Sequence, residues 1–338
     1  MLAAMQPFDP VAFTRALIDI ESISGNEKNV AEHLARELSG MNYNVERIDC
    51  EPDRFNVLAL PRGTDQPDLV LSTHMDTVPP FIPSREDADN IYGRGSCDAK
   101  GIIAAQVAAA EQLRRSDVRV GLLFLVGEER DSLGAKVANT QPRGSRFLIN
   151  GEPTDNRIAV ASKGALRVEL EASGKMAHSA YPHLGESAIE KLVHALEKLL
   201  AVPLPQNPEV GPCTMNIGLI EGGRAPNVIP DHAKALLLLR LVGDSTELRQ
   251  QITRAVEGLA EASFTLEIPF VKLRTVEGVP TMTAAFTTDI PALTNWGEPV
   301  LLGPGSIHVA HTTREFLSKR ELHECIDLYV RTAKQLLA

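Results

Sequence analysis

Three short apolar runs end in side chains that can ligate a metal. Leu69–Thr73 leads into His74 and Asp76, Val120–Val126 into Glu128 and Glu129, and Phe147–Ile149 into Glu152. Imidazole nitrogen and carboxylate oxygen are typical donors to zinc. Several unpaired carboxylates gathered at one place repel one another and raise their own pKa values; one or two divalent cations remove that conflict. Each residue alone has a plainer reading. His74 fits a hydrogen-bonded loop histidine and Asp76 a turn residue. Asp98 sits where the N-cap of a helix starting at Ala99 belongs. Adjacent Glu128 and Glu129 fit a solvated loop pair, and Glu152 before Pro153 the end of a strand. The recurrence of the pattern at three strand ends is what points to metal chemistry.

For these side chains to meet, the runs must lie side by side in one sheet. Leu69–Thr73 and Val120–Val126 read as strands buried on both faces, with Asn44–Ile48, Asn56–Leu60 and Phe147–Ile149 as further strands. Helices are expected over Val11–Ile20, Asn26–Leu38 and Ala99–Arg115, with Ser24 and Glu27 as a capping box for the second. Strands alternating with helices predict an α/β domain around a mainly parallel mixed sheet flanked by helices. Ligands of such sheets sit beyond the carboxyl ends of the strands, which is where these residues fall.

The texture changes after Glu152. Strand (Leu166–Ala172), helix (Glu186–Leu200), strands (Thr214–Ile220 and Ala233–Val242), helix (Thr246–Ala262) and strand (Phe264–Val271) give the ferredoxin-like order β-α-β-β-α-β. Past Arg274, loops and helices resume, ending in a helix over Glu315–Leu337. The expected organisation is a catalytic domain formed by residues 1–163 and 275–338, with an inserted domain over 164–274. A length of 338 residues fits two domains of about 100–200 residues each.

Composition excludes other classes. A net charge of −10, with no Lys/Arg cluster, argues against a nucleic-acid partner. No window approaches the roughly 18 uninterrupted apolar residues of a membrane helix. Met1 to Phe13 lacks the basic stretch and apolar core of a signal peptide. The four cysteines (Cys50, Cys97, Cys213, Cys325) are far apart in the chain and form no C-x-x-C pair, which suits reduced thiols. The expected location is cytoplasmic.

Seven motifs stand in one order: H-M-D-T-V-P (His74 to Pro79), G-R-G-S-C-D-A-K-G (Gly93 to Gly101), G-E-E (Gly127 to Glu129), N-G-E-P-T (Asn150 to Thr154), G-K-M-A-H-S-A-Y-P (Gly174 to Pro182), G-G-R-A-P-N-V-I-P (Gly222 to Pro230) and G-P-G-S-I-H-V-A-H-T-T-R-E-F (Gly303 to Phe316). Together they resemble metallopeptidase family 20, from the first helix to the last. That family includes acetylornithine deacetylase, succinyl-diaminopimelate desuccinylase, glutamate-releasing carboxypeptidases, aminoacylases and some aminopeptidases. The resemblance implies two divalent cations per subunit, zinc by default with cobalt or manganese as alternatives. His74 and Glu152 would bind one, Glu129 and His311 the other, and Asp98 both, with a cis peptide bond after Asp98. His311, directly before T-x-x-E, is selected over His308. Asp76 would orient the His74 ring. Glu128 would be the general base toward a metal-bridged hydroxide. The same resemblance places His178 as an oxyanion donor reaching the other subunit, makes the inserted domain both lid and dimer interface, and gives Asn227 and Arg240 a substrate carboxylate to hold. Lys100 reads as either first-turn surface or a neighbour of Asp98.

The resemblance implies hydrolysis of an N-acyl amino acid, since Glu at 152 goes with deacylases and carboxypeptidases. The alternative is a carboxypeptidase or dipeptidase at the same site. A remote alternative is a catalytically inactive metal- and ligand-binding protein, which would have no need of Glu128. Thr312-Thr313-Arg314 and Thr288-Asp289-Ile290 depart from the commoner family patterns. They leave the acyl group and the amino acid open without removing a ligand.

Overall fold

The strands that carry the candidate ligands are neighbours in one six-stranded sheet. Its order is Tyr43–Glu51, Arg54–Pro61, Val120–Leu125, Leu69–His74, Phe147–Asn150, Glu298–Leu301. The last four run parallel. The first two form an antiparallel hairpin, which joins the sheet through Arg54–Pro61, antiparallel to Val120–Leu125. This is a computed structural model and it describes residues 8–338; the first seven residues of the Met1–Phe13 segment lie outside them.

The chain folds as two units. The first comprises the described part of Met1–Val160 with Leu273–Met282 and Thr288–Ala338; the second comprises Ala161–Lys272 with Thr283–Thr287. In the first, Leu69–His74 and Val120–Leu125 are buried along their whole length, as strands covered on both faces should be. The helix Lys100–Arg114 packs on both of them, and Pro10–Ile18 and Lys319–Leu337 pack on that helix. Its alanine-rich sequence presents little bulk, so it is buried on nearly every side from Lys100 to Ala110.

Several local expectations are corrected. Ser24 and Glu27 form no capping box. The second helix spans Lys28–Gly40, and its N-cap, Glu27, makes no side-chain cap bond. Glu27 is buried and pairs with Arg54, while the Ser24 hydroxyl donates to Asp76. Asp98 is not a helix cap either; Ala99 occupies that position. The helix expected over Glu315–Leu337 begins at Lys319, capped by Ser318 and preceded by a short strand, Phe316–Ser318. That strand pairs with Asn90–Tyr92, which pairs with Arg85–Glu86.

The second unit holds an antiparallel sheet in the order Thr214–Gly222, His232–Leu241, Gly164–Ser173, Glu261–Ile268. In chain order this is 2-3-1-4, and with helices Ala188–Leu200 and Thr246–Val256 packed on the strands the unit is ferredoxin-like. Residues alternate in His232–Leu241: Ala233, Ala235, Leu237, Leu239 and Leu241 are buried and the residues between them are not. The helix expected to reach Ala262 stops at Val256, just before Gly258 takes a positive φ of 76°. Among the described residues no helix is long and apolar enough to cross a membrane.

Candidate metal centre

The carboxyl ends of three parallel strands bring the first unit's acids and imidazoles together. His74 ends its strand and is 1% exposed. Its Nε2 lies 3.0 Å from Asp98 Oδ1. The second Asp98 oxygen, Oδ2, lies 3.2 Å from His311 Nε2, and that nitrogen is 2.9 Å from Glu129 Oε1. Ligand atoms of His74, Asp98 and Glu129 all lie within 4.8 Å of one another. Asp98 therefore stands between two imidazoles, one oxygen toward each. The Asp98–Ala99 peptide bond is cis, as the resemblance implied. His311, with φ of 61°, holds a left-handed conformation that is uncommon for non-glycine residues but in which histidine is enriched. His308 is exposed, and its backbone N–H donates to Ser306.

Glu152 follows the Phe147–Asn150 strand and is 4% exposed, and its Oε1 has no hydrogen-bond partner. Burial raises its pKa well above the usual carboxylate value; His74 opposes that rise, and Asp98, Asp289 and Glu129 add to it. The close backbone contact behind it requires a glycine: a Cβ on Gly303 would come within 2.3 Å of the Glu152 carbonyl oxygen.

Asp76 does more than accompany His74. The His74 Nδ1 is nearest the Asp76 backbone carbonyl, at 2.9 Å, with the Asp76 carboxylate 3.6 Å away. That carboxylate accepts the backbone N–H groups of Glu128, at 3.1 Å, and of Glu129, at 3.2 Å, and the Ser24 hydroxyl at 2.6 Å. One buried acid thus registers the proposed base and an adjacent ligand against the His74 strand. Glu128 is half-buried; burial, then the Glu152 charge, raises its pKa well above the usual value. His311 is driven to about 10 by its hydrogen bonds to Asp98 and then Glu129. For Asp98, burial would raise the pKa, but hydrogen bonds from His311 and His74 bring it below the usual range.

Imidazolium protons thus partly balance a cluster of buried carboxylates. The donor set is right for divalent cations, and the unpartnered Glu152 oxygen is a further donor. The residues fit divalent metal binding.

Other residues here were not legible as site members. Asp289 is 1% exposed, and neither carboxylate oxygen has a close hydrogen-bond partner; burial lifts its pKa to about 7, against the Ser132 hydroxyl and the His74 charge, which lower it. The motif T-D-I marked it as a departure close to where substrate would bind, without giving Asp289 a role of its own. Lys100 is 1% exposed and donates to the Ile20 carbonyl at 2.7 Å, so it is buried rather than first-turn surface. Burial lowers its pKa to about 7.

The remaining candidates belong to the second unit. His178 is exposed and its short strand pairs with Val228–Ile229. Its Nδ1 accepts the Ala180 N–H at 3.1 Å, which puts the proton of the neutral ring on Nε2. Asn227 lies beside it, its carbonyl accepting the Ser179 N–H at 3.0 Å. Arg240 is the penultimate residue of the strand His232–Leu241, opposite Thr214 and Ala165. It is half-buried and burial lowers its pKa.

Comparison with known proteins agrees with the geometry. A model described as the peptidase dimerisation domain of M20 matches residues 160–268. A peptidase M20 domain-containing protein of Schizosaccharomyces pombe is 38% identical over 340 residues, covering 95% of this chain and 83% of its own. A probable carboxypeptidase of Aspergillus terreus is 39% identical over 94% of this chain and 84% of its own. A tripeptidase from Staphylococcus aureus, 22% identical, superposes with a TM-score of 0.81 over 96% of this chain and 98% of its own.

Proposed function

The chain belongs to the M20 metallopeptidase family and is a metal-dependent hydrolase of peptide-like amides; within that family we propose a two-metal enzyme that cleaves the amide of an N-acyl amino acid. The second reading, a carboxypeptidase or dipeptidase at the same site, is favoured by the names of its relatives. Both substrates offer a free carboxylate next to the scissile amide. Arg240 suits that group: it is half-buried, and among the described residues its guanidinium makes no ion pair. A guanidinium grips a carboxylate with two parallel hydrogen bonds.

The observation that carries the reading is Glu128 beside the gathered ligands. His74 and Glu152 would hold one cation, Glu129 and His311 the other, and Asp98 both. When bound, the cations supply an acidified water and polarise the amide carbonyl. Glu128 takes the proton of the attacking water and returns it to the leaving amine. Its pKa, raised by burial, suits a group that must hold and then release a proton. The Asp76 carboxylate holds the backbone of Glu128 and Glu129 together, so the base moves with a ligand. His178, with Nε2–H free to donate, is proposed to stabilise the oxyanion in a partner copy of this chain, making the enzyme a homodimer. Zinc is the proposed metal, with cobalt or manganese as substitutes. The thiols are all free, which supports a reducing, cytoplasmic location.

The test is Glu128→Gln. Metal content is expected to stay near two per subunit while turnover falls by orders of magnitude; unchanged turnover would remove Glu128 as the base. The substrate question is settled by assaying the zinc- and cobalt-loaded protein with N-acetylornithine, N-succinyl-diaminopimelate and a dipeptide panel. Turnover of dipeptides alone would replace the deacylase reading with the peptidase one. An inactive binding protein would turn over none of them.

A further inference from the structure

Behind the metal ligands lies a buried ion pair that the reaction does not use. Arg94 and Glu315 are each 2% exposed and stand 221 positions apart in the chain. Arg94 Nη1 donates to Glu315 Oε2 at 2.6 Å. The other oxygen, Oε1, accepts three backbone N–H groups: Gly95 at 3.0 Å, Cys97 at 3.2 Å and Asp98 at 3.2 Å. The Glu315 carbonyl accepts a fourth, from Gly93, at 3.3 Å. The whole turn that ends in Asp98 is therefore wound around one residue. Gly95 permits this: its φ is 90°, and a Cβ there would meet the Lys100 side chain at 2.9 Å.

Glu315 also follows His311 by four positions. The residue that gathers the Asp98 turn thus belongs to the segment carrying the other imidazole that Asp98 touches. A buried ion pair is a weak source of net stability, because desolvation offsets most of the attraction. Its attested use is to fix one geometry among several. Groups that hold a ligand from behind set its orientation, and removing them typically weakens metal binding or activity roughly 10–100-fold.

We propose that the Glu315–Arg94 pair is the positioning device of the metal centre. It fixes the Gly93–Asp98 turn so that the Asp98 carboxylate presents one oxygen to each side, and it ties that turn to the His311 segment, so two ligands from distant parts of the chain keep one register. Neither residue touches substrate or reacting atoms. The proposal rests on the reading of Asp98 and His311 as ligands, and the experiment separates the two.

The experiment is a cobalt titration of chelator-treated wild type, Glu315→Ala, Glu315→Gln and Arg94→Lys, followed by visible absorption and calorimetry, with thermal unfolding as the control for folding. Wild type is expected to take two cobalt ions per subunit. Folded Glu315→Ala is expected to bind at least one of them about 10–100-fold more weakly, with altered visible bands and a fall in kcat that exceeds any change in KM. Glu315→Gln keeps an oxygen for the three N–H groups, so its spectrum should return toward wild type. Arg94→Lys should fall between them. A folded Glu315→Ala with wild-type cobalt affinity and spectrum would overturn the proposal. If that variant does not fold, wild-type affinity and spectra in both Glu315→Gln and Arg94→Lys would overturn it instead. Wild type that takes up no cobalt would overturn the metal-centre reading itself.

Discussion

At the scale of single residues, protonation in the metal-free centre has a definite sign. His311 is raised to about 10 by Asp98 and Glu129. A histidine raised above its unfolded value contributes stability that is complete below about pH 6.5 and is lost as the pH climbs through the folded value. Burial raises Glu152 and Glu128. They bind protons more tightly folded than unfolded, so they also favour the folded chain at lower pH. The buried His74, also raised, adds to the loss, whereas Lys100, lowered to about 7, opposes it; with two imidazoles against one ammonium, the chelated protein is expected to lose thermal stability on going from about pH 6.5 to about pH 10. Metal ligation needs neutral imidazole and ionised carboxylate, so the stabilisation given by zinc should grow over the same interval. Unfolding temperatures with and without chelator across that range check this; a pH-independent metal-free protein would contradict it. The sequence showed the ligand types because they cluster at strand ends and in motifs. It did not show Ser24, Asp289, Arg94 or Glu315 as members of the site. Their partners lie 52 positions away for Ser24 and 217 to 221 away for Glu315, so only the folded chain assembles them.

At the scale of elements, the parallel strands were legible because continuous apolar runs bounded by polar residues have few other uses. The edge strand Glu298–Leu301 was not, since a four-residue strand containing proline gives little pattern. The capping box failed for a physical reason: serine at 24 has a stronger claim from a buried carboxylate than from a helix end, and Glu27 is held by Arg54. The last helix was drawn from Glu315 because Phe316 and Leu317 continue its apolar spacing, yet Ser318 supplies the cap. Where elements meet at the site, packing is tight. Gly303→Ala would drive a methyl group into the backbone of Glu152. Such overpacking costs about 1–3 kcal/mol, and the displaced Glu152 should release metal more readily. Thermal unfolding and metal content after dialysis measure both effects; full metal retention with unchanged stability would show that the backbone yields there without consequence.

At the scale of the whole molecule, exposed apolar surface is unevenly shared. Met176, Tyr181, Leu184, Ile189, Val193, Leu200, Leu219 and Ile220 are the large exposed apolar side chains among the described residues, and all belong to the second unit. Exposed apolar surface, where contiguous, marks association surfaces, and the M20 dimerisation match falls on the same unit. Val193→Glu combined with Ile220→Glu is expected to convert the proposed dimer to monomer in light scattering and, because His178 is proposed to act in a partner copy, to lower turnover. Dimers persisting in the double variant would place the interface elsewhere. The ferredoxin-like order was readable from alternation and helix periodicity, whereas the apolar exposure needed coordinates. The proposed catalysis depends on two cations meeting the five proposed ligands. The direct measurement is the anomalous difference map of crystals grown with zinc. Two peaks per subunit are expected, one contacted by His74 and Glu152, the other by Glu129 and His311, with Asp98 reaching both. A map with no peak among these side chains, or with them still hydrogen-bonded to one another around a single distant ion, would contradict it.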